Sequence, residues 1–171
     1  MSAFENVAPA ASVAATRTDD VTISVRHPQQ RAAAERLGVN VLDETEVMAW
    51  GKQSRPEVVI ETVGGEATTL DDAIAVVRRG GSIVVLGTFL RVPVNLFAAG
   101  QKEAAILSSF AYGQTDGRAD FDVAGGLLGD LAPSLDGIVT HRFALADVAT
   151  AFDHAHDKSS GAVKVAILPT G

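Results

Sequence analysis

The stretch that decides the fold of this chain runs from Pro56 to Gly87 and reads PEVVIETVGGEATTLDDAIAVVRRGGSIVVLG. Two apolar, β-branched runs, at residues 58–61 and 82–86, are separated by one helix length, and each leads into glycine. Runs this apolar are typical of parallel strands with helices packed on both faces of the sheet. Ligands of such sheets bind outside the carboxyl ends of the strands. The glycines therefore stand where a nucleotide would need close approach to the backbone.

Strand and helix patterns alternate on both sides of this stretch. Further strands are predicted at residues 21–25, 40–42, 105–112, 138–143 and 163–168. Helices are predicted at residues 28–37, 44–50, 69–77, 96–103, 119–128 and 146–156, with a polar loop at 51–56. This alternation indicates right-handed βαβ crossovers and an α/β fold with a Rossmann-like, doubly wound, mostly parallel sheet.

The chain divides at about residue 20 in this interpretation. Residues 1–20 are alanine-rich and weakly patterned, and a short helix is predicted with Pro9 in its first turn. Residues 21–171 are predicted to form the α/β domain, and its closing segment spans residues 138–168.

Composition narrows the classes of protein to consider. The 14 basic and 21 acidic residues give a net charge of −7 with no basic block, so we expect neither a nucleic-acid partner nor a membrane partner. The absence of cysteine excludes disulfides and thiolate metal sites within this chain. No apolar run approaches the ~20 residues of a spanning helix, and the early acidic Glu5 argues against a signal peptide. We expect a cytoplasmic protein.

Short motifs follow one another in a fixed order along the chain. They are RHP at residues 26–28, ETVGG at 61–65, RGG at 79–81, LG at 86–87, THRF at 140–143 and SSGAVKV at 159–165. Their order and spacing resemble the cofactor-binding domain of the medium-chain dehydrogenases/reductases, which include the zinc-dependent alcohol, sorbitol and threonine dehydrogenases. The resemblance implies a domain that binds NADP or NAD in an alcohol dehydrogenase-like oxidoreductase.

The same comparison exposes a gap ahead of the matched segment. In the family, a catalytic domain with zinc ligands comes first, followed by a first strand and a Gly-rich turn. At the place of that turn this chain carries NVAPAA, residues 6–11, without glycine. A Cβ there blocks the tight turn and the approach of amides to a pyrophosphate. We therefore expect a sheet that lacks its first strand or has a degenerate one, no zinc in this chain, and no dehydrogenase activity from the chain alone.

The resemblance also implies which residues contact the cofactor. The position that is acidic in NAD-specific members is Val25 here, followed by Arg26, with Arg31 further along the next helix. Guanidinium donors there suit the extra phosphate of NADP. The resemblance also implies that Thr62, Val63 and Gly64 lie beside the adenosine and its ribose. At the next strand end, Leu86-Gly87-Thr88, the backbone of Leu86 is implied to contact the nicotinamide carboxamide and Gly87 to let the ring approach. Ser109 and Ala111 are implied as the opposite backbone contacts to that carboxamide, and Lys164 as a contact to the pyrophosphate. The structural alternatives are a solvated surface charge for Arg26, Arg31 and Lys164, and a turn between strand and helix for the glycines at 64–65. No catalytic residue is predicted.

The strand at residues 105–112 is expected to be the edge of the sheet. An exposed apolar edge invites pairing with another chain. The resemblance implies a homodimer through this strand, with Phe97, Leu107 and Phe110 in the interface; packing inside the domain is the alternative. A separate chain that carries the catalytic domain is the other expected partner.

Two functions of other classes remain open at this stage. One is a non-catalytic remnant or interaction protein that folds and binds no nucleotide, since a fold by itself carries no activity. The other is an S-adenosylmethionine-dependent methyltransferase-like domain, which shares the doubly wound sheet. Such a domain also needs a Gly-rich first turn, which residues 6–11 do not supply.

Overall fold

The computed structural model describes residues 4–135 and 137–169. Its helices are α1 (Phe4–Ala15), α2 (Pro28–Arg36), α3 (Val47–Ser54), α4 (Thr69–Val76), α5 (Leu96–Lys102), α6 (Asp120–Leu135) and α7 (Val148–His156). Its strands are β1 (Thr22–Val25), β2 (Asn40–Asp43), β3 (Val58–Glu61), β4 (Ser82–Val85), β5 (Ala105–Ser108), β6 (Gln114–Thr115), β7 (Arg118–Ala119), β8 (Val139–Ala144) and β9 (Lys164–Leu168). Short 3-10 helices span Glu44–Glu46, Leu145–Asp147 and Lys158–Ser160.

The strands form a mixed α/β arrangement with mostly parallel pairing. β3, β4 and β5 make a three-stranded parallel sheet in that order, and β8 pairs with β9 in parallel. β1 pairs with β2, and β6 with β7 forms a short antiparallel hairpin. The predicted α/β class with a mostly parallel sheet is confirmed. None of the helices in the described ranges is both long and apolar enough to cross a lipid bilayer.

The chain separates into two compact units, of which the first comprises residues 1–41 and 131–171. Its core is built from small and β-branched side chains of α1, β1, α2 and the segments before β8 and β9: Ala8, Ala11, Val21, Ile23, Val25, Ala33, Ala34, Ile138 and Val163. Alternate residues of β1 point inward, as a strand with one covered face requires.

The second unit comprises residues 42–130 and contains the three-stranded sheet. Helices α4 and α5 cover one face of that sheet, and Ile74, Val77 and Ile83 are the largest side chains fully buried there. Lys102 at the end of α5 donates from Nζ to the carbonyl oxygens of Ala75 and Val77, at 2.6 and 2.7 Å. These bonds satisfy carbonyls that the end of α4 leaves without a partner in the helix.

The opposite face of this sheet is exposed. The register sets Ile60, Val84 and Leu107 in one row across the three strands. Ile60 is 39% exposed, Leu107 is 54% exposed, and Val58 on the same face is also 54% exposed. The sequence predicted helices on both faces of this sheet. Among the described residues of this unit, helices α4 and α5 pack on one face only, and the other face is exposed.

The N-terminal segment differs from the sequence-based expectation. α1 runs from Phe4 to Ala15 with Pro9 inside it rather than in its first turn, so residues 6–11 are helical and do not form a turn. Burial of Ala8 and Ala11 accounts for this, because packing of an apolar helix face can outweigh the lost hydrogen bond and the clash of an internal proline. No strand lies within residues 4–20.

Several element boundaries also differ from the prediction, and one hairpin was not predicted. α3 continues through the expected loop to Ser54 and stops at Arg55, whose φ is 46°. β5 ends at Ser108, four residues short of residue 112, and α6 extends to Leu135. The β6–β7 hairpin was not predicted, although Asp116-Gly117, both at positive φ, is a strong signal for a two-residue hairpin turn.

Candidate functional site

The carboxyl ends of β3 and β4 form one interlocked turn within the unit of residues 42–130. The carbonyl oxygen of Glu61, the last residue of β3, accepts the backbone N–H groups of Leu86 and Gly87 at 2.8 and 3.1 Å. In return, the N–H of Gly65 donates to the carbonyl oxygen of Thr88 at 2.8 Å. The two strand tips are thus fixed to each other beyond the end of the regular ladder.

Two glycines of this turn allow the close approach of its backbone segments. Gly64 has a φ of +67°, and a Cβ on it would lie 2.5 Å from the nitrogen and 2.7 Å from the oxygen of Thr88. A Cβ on Gly87 would collide with the carboxylate of Glu61. Both Cβ positions are filled by atoms of the turn itself, so the two glycines allow the tips of β3 and β4 to pack directly against each other.

A buried carboxylate organises the loop between β3 and α4. Glu61 is 4% exposed, and its Oε1 accepts from the N–H groups of Val63 and Gly64 at 2.8 and 3.2 Å and from the Thr69 hydroxyl at 2.7 Å. Its Oε2 is buried with no hydrogen-bond partner among the described residues. The sequence reasoning missed Glu61 because it treated the residue as the end of a strand. The available signal was an acidic residue closing an apolar run just before two glycines.

An open cleft of about 770 Å³ adjoins the tip of β4 in the same unit. Its lining includes Leu86, Gly87, Thr88, the following loop to residue 94 and the end of β5 through residue 110. Ser109 is part of this lining, and its N–H donates to the carbonyl oxygen of Val85 at 3.0 Å. The structure thus brings four of the predicted contacts together at one cleft.

Ala111 is not among the lining residues of that cleft. The strand expected to carry it ends at Ser108, and the backbone then turns. Ala111 instead lines a separate cavity of about 130 Å³ with Tyr112 and Phe121, next to the β6–β7 hairpin. Its predicted position on an extended strand is wrong, because residues 110–113 form a turn in which the N–H of Gly113 donates to the carbonyl oxygen of Phe110 at 3.2 Å.

The remaining predicted contacts lie in the unit of residues 1–41 and 131–171. Arg26 follows β1 and is exposed, and its N–H donates to the side-chain oxygen of Gln30 at 2.9 Å. Arg31 is half-buried in α2, whose first turn is closed by the same Gln30 side chain. Lys164 is exposed at the start of β9. Their contacts with a cofactor stay predictions.

The described side chains of the site suit binding and positioning. Val63 and Leu86 present apolar surface, and Thr88 and Ser109 present hydroxyl groups around the strand tips. Within residues 4–135 and 137–169, no three His, Cys, Asp or Glu side chains come together in a group that could hold a metal ion. The arrangement can therefore receive a flat, hydroxyl-bearing ligand at the tips of β3 and β4.

Known sequences similar to this chain are dehydrogenases. The family model of the zinc-binding dehydrogenases matches residues 10–125, more than half of the chain. An L-arabinitol 4-dehydrogenase of Aureobasidium melanogenum is 30% identical over 113 residues, which cover 66% of this chain and 29% of that protein. An alcohol dehydrogenase of Cupriavidus necator is 27% identical over 133 residues, which cover 76% of this chain and 35% of that protein.

Solved structures of similar fold come from the same group of proteins. The 2R,3R-butanediol dehydrogenase of Bacillus subtilis superposes with a TM-score of 0.77 at 22% identity, over 97% of this chain and 48% of that one. A structure from Sinorhizobium meliloti 1021, described as a zinc-binding dehydrogenase bound to NADP, gives 0.75 at 23% identity, over 93% and 48%. The chain spans about half the length of these structures and about a third of the curated relatives. Its fold is the Rossmann-like α/β fold of these structures, and the chain belongs to the zinc-binding dehydrogenase family.

Proposed function

We propose that this chain is the NAD(P)-binding part of a zinc-type, alcohol dehydrogenase-like oxidoreductase. The observation that carries the proposal is the interlocked turn of β3 and β4, which lies at the carboxyl ends of parallel strands and adjoins the open cleft at the tip of β4. The similar fold of the S. meliloti structure, which holds NADP, supports the same assignment.

We propose further that the isolated chain binds the nucleotide without turning over a substrate. A bound nicotinamide supplies hydride transfer, and zinc-binding members of the family add a metal that polarises the substrate oxygen. This chain contributes the surface that orients the nucleotide, and it contains no cysteine with which to bind zinc. Because it spans about half of the similar structures, the substrate and the metal require a further domain or a separate chain.

The preference for NADP over NAD is proposed from the arginines near the end of β1. Arg26 follows the strand and Arg31 lies on α2, where guanidinium groups can donate to a phosphate in a fork. The variant Arg31→Gln should weaken NADP binding about tenfold and leave NAD binding unchanged. Arg17→Gln, an exposed arginine of the same unit outside this position, is the control.

The test of nucleotide binding is calorimetric titration of the purified chain with NADP, NAD and S-adenosylmethionine. We expect binding of NADP, weaker binding of NAD, no heat from S-adenosylmethionine, and no reduction of NADP at 340 nm with common alcohols. Failure of both nicotinamide nucleotides to bind would favour the non-catalytic interaction protein. Saturable binding of S-adenosylmethionine would favour the methyltransferase alternative instead. Turnover of an alcohol would overturn the proposed inactivity of the chain alone.

We also propose a homodimer through the outer edge of β5. β5 pairs with β4 on one side, and its Leu107 is half-exposed. Phe97 on α5 and Phe110, which follows β5, are largely exposed. Light scattering after size-exclusion chromatography should give twice the mass of the chain, and Leu107→Lys should return it to one chain. Leu128→Lys, at an equally exposed leucine on α6, is the control. A monomer in the unmodified protein would refute the dimer.

A further inference from the structure

We propose that Glu61 is a positioning residue of the nucleotide site: it fixes the tips of β3 and β4 in a form that suits the uncharged part of a dinucleotide and withholds five backbone N–H groups from its phosphates. The inference rests on the proposed nucleotide binding and adds the residue that shapes the site. It starts from the buried carboxylate described above, which has one oxygen with three donors and one without any.

Five backbone N–H groups of the turn are occupied from within the protein. Glu61 Oε1 takes the N–H groups of Val63 and Gly64, and the carbonyl oxygen of Glu61 takes those of Leu86 and Gly87. The N–H of Gly65 is held by the carbonyl of Thr88. A phosphate needs free, convergent N–H groups of the kind that a Gly-rich turn supplies. These five amides cannot provide them without breaking the turn.

The negative charge of the Glu61 carboxylate beneath the turn also disfavours a phosphate at the strand tips. A carboxylate buried in a medium of low dielectric repels an anion more strongly than one in water. Glu61 Oε2 lies against Gly87, at the place that a Cβ would fill, so the repulsion is centred below the strand tips. Above them, Val63 and Leu86 offer apolar contact. The surface thus suits a nucleoside ring and ribose, and the phosphates must be held elsewhere.

Burial of the Glu61 carboxylate with one oxygen lacking a hydrogen-bond partner costs folding free energy, so a role for the residue at this turn is expected. A buried polar atom without a partner is uncommon in folded proteins and calls for an explanation, such as strain retained at a functional site. Charge-assisted bonds to the N–H groups are also about twice as strong as neutral ones. Glutamate therefore holds the loop more firmly than its amide, glutamine, would, and the firmness of the loop is the measurable consequence.

The experiment uses the full 171-residue chain, uniformly ¹⁵N-labelled, with Glu61→Gln as the main variant. Glutamine keeps the shape and an acceptor oxygen and removes the charge. We expect hydrogen exchange of the Val63 and Gly64 amides to become about tenfold faster, because a charged acceptor is replaced by a neutral one. Thr69→Val, which removes the hydroxyl donor to Oε1, should have a smaller effect of the same sign. Glu66→Gln, at an exposed glutamate of the same loop, should change neither amide.

Two probes then separate the uncharged from the charged part of the ligand. Adenosine should shift the amide resonances of Val63 to Gly65, inorganic pyrophosphate should not, and Glu61→Gln should raise the adenosine concentration needed about tenfold. Unchanged exchange in Glu61→Gln, or tip amides that move with pyrophosphate, would overturn the proposal. If exchange quickens but neither adenosine nor NADP shifts any resonance, the proposed nucleotide binding fails and Glu61 is purely structural. If NADP binds and Glu61→Gln leaves its affinity and that of adenosine unchanged, only the positioning role fails.

Discussion

Replacing Gly64 by alanine should destabilise the protein far more than the same change at its neighbour, Gly65. Both glycines have left-handed backbone, with φ of +67° and +68°, so an added Cβ incurs the same conformational cost of about 1–2 kcal/mol. The surroundings differ: at Gly64 the Cβ would lie 2.5 Å from the nitrogen of Thr88, whereas at Gly65 nothing lies within 4 Å. Backbone cannot move aside as a side chain can, and overpacking of this kind costs about 1–3 kcal/mol more.

The expected losses in unfolding free energy are therefore about 1 kcal/mol for Gly65→Ala, after a small gain from the restricted unfolded chain, and about 2–4 kcal/mol for Gly64→Ala. Urea unfolding followed by the fluorescence of Trp50 measures them, because this single tryptophan lies in α3 of the same unit. The pair is its own control, since residue type and φ are matched. Equal losses, or a larger loss at Gly65, would refute the interlocked turn.

Three further outcomes are expected. Lys102→Met should lower the unfolding free energy by about 1–2 kcal/mol, because two carbonyl oxygens at the end of α4 lose their charged donor, and urea unfolding at neutral pH checks it. The pKa of the Asp157 carboxyl lies below its usual range because the side chain and then the N–H of Ser159 donate to it, so Ser159→Ala should raise that pKa in an NMR titration. A carboxyl whose pKa is lower in the folded than in the unfolded protein stabilises the fold at pH values above the unfolded-state pKa, and this stabilisation is lost as the pH falls through the folded-state pKa. The free energy of unfolding of Ser159→Ala should therefore depend less on pH in the acidic range between these two pKa values. Gly51→Ala should destabilise the protein by about 1–3 kcal/mol because its Cβ would collide with a valine of α4, whereas Gly100→Ala, in open space on α5, should stabilise it by about 0.5–1 kcal/mol in the same urea assay.

The sequence predicted where strands β3 and β4 end, and the reason lies in their residue types. The β-branched runs that end at Glu61 and Val85 can be recognised from composition alone, and glycine after such a run marks a sharp exit from a strand. The position of Ala111 could not be read in the same way. Residues 105–112 are uniformly suited to a strand by composition, whereas β5 ends at Ser108 and residues 110–113 form a turn closed by the Gly113 N–H on the Phe110 carbonyl oxygen.

Helix α1 shows how packing overrides local preference. Pro9 predicts a helix start, yet it lies inside α1 because Ala8 and Ala11 pack into a core that residues far along the chain complete. The same limit explains the exposed face of the three-stranded sheet. Apolar composition says that a strand can be covered on both sides, but it does not say whether a helix is available to cover it.

Local chemistry in the sequence determined the α/β class, the order of strands and helices, and the glycines that mark the strand tips, because these follow from periodicity and from the conformational freedom of single residues. Only the tertiary structure decided which hydrogen bonds hold those tips together. The partners of Glu61 come from its own loop, from the start of α4 and from the tip of β4, which lie up to 26 positions away in sequence. Hydrogen bonds between such segments exist only once the chain has folded, so which amides remain for a ligand is a property of the assembled turn.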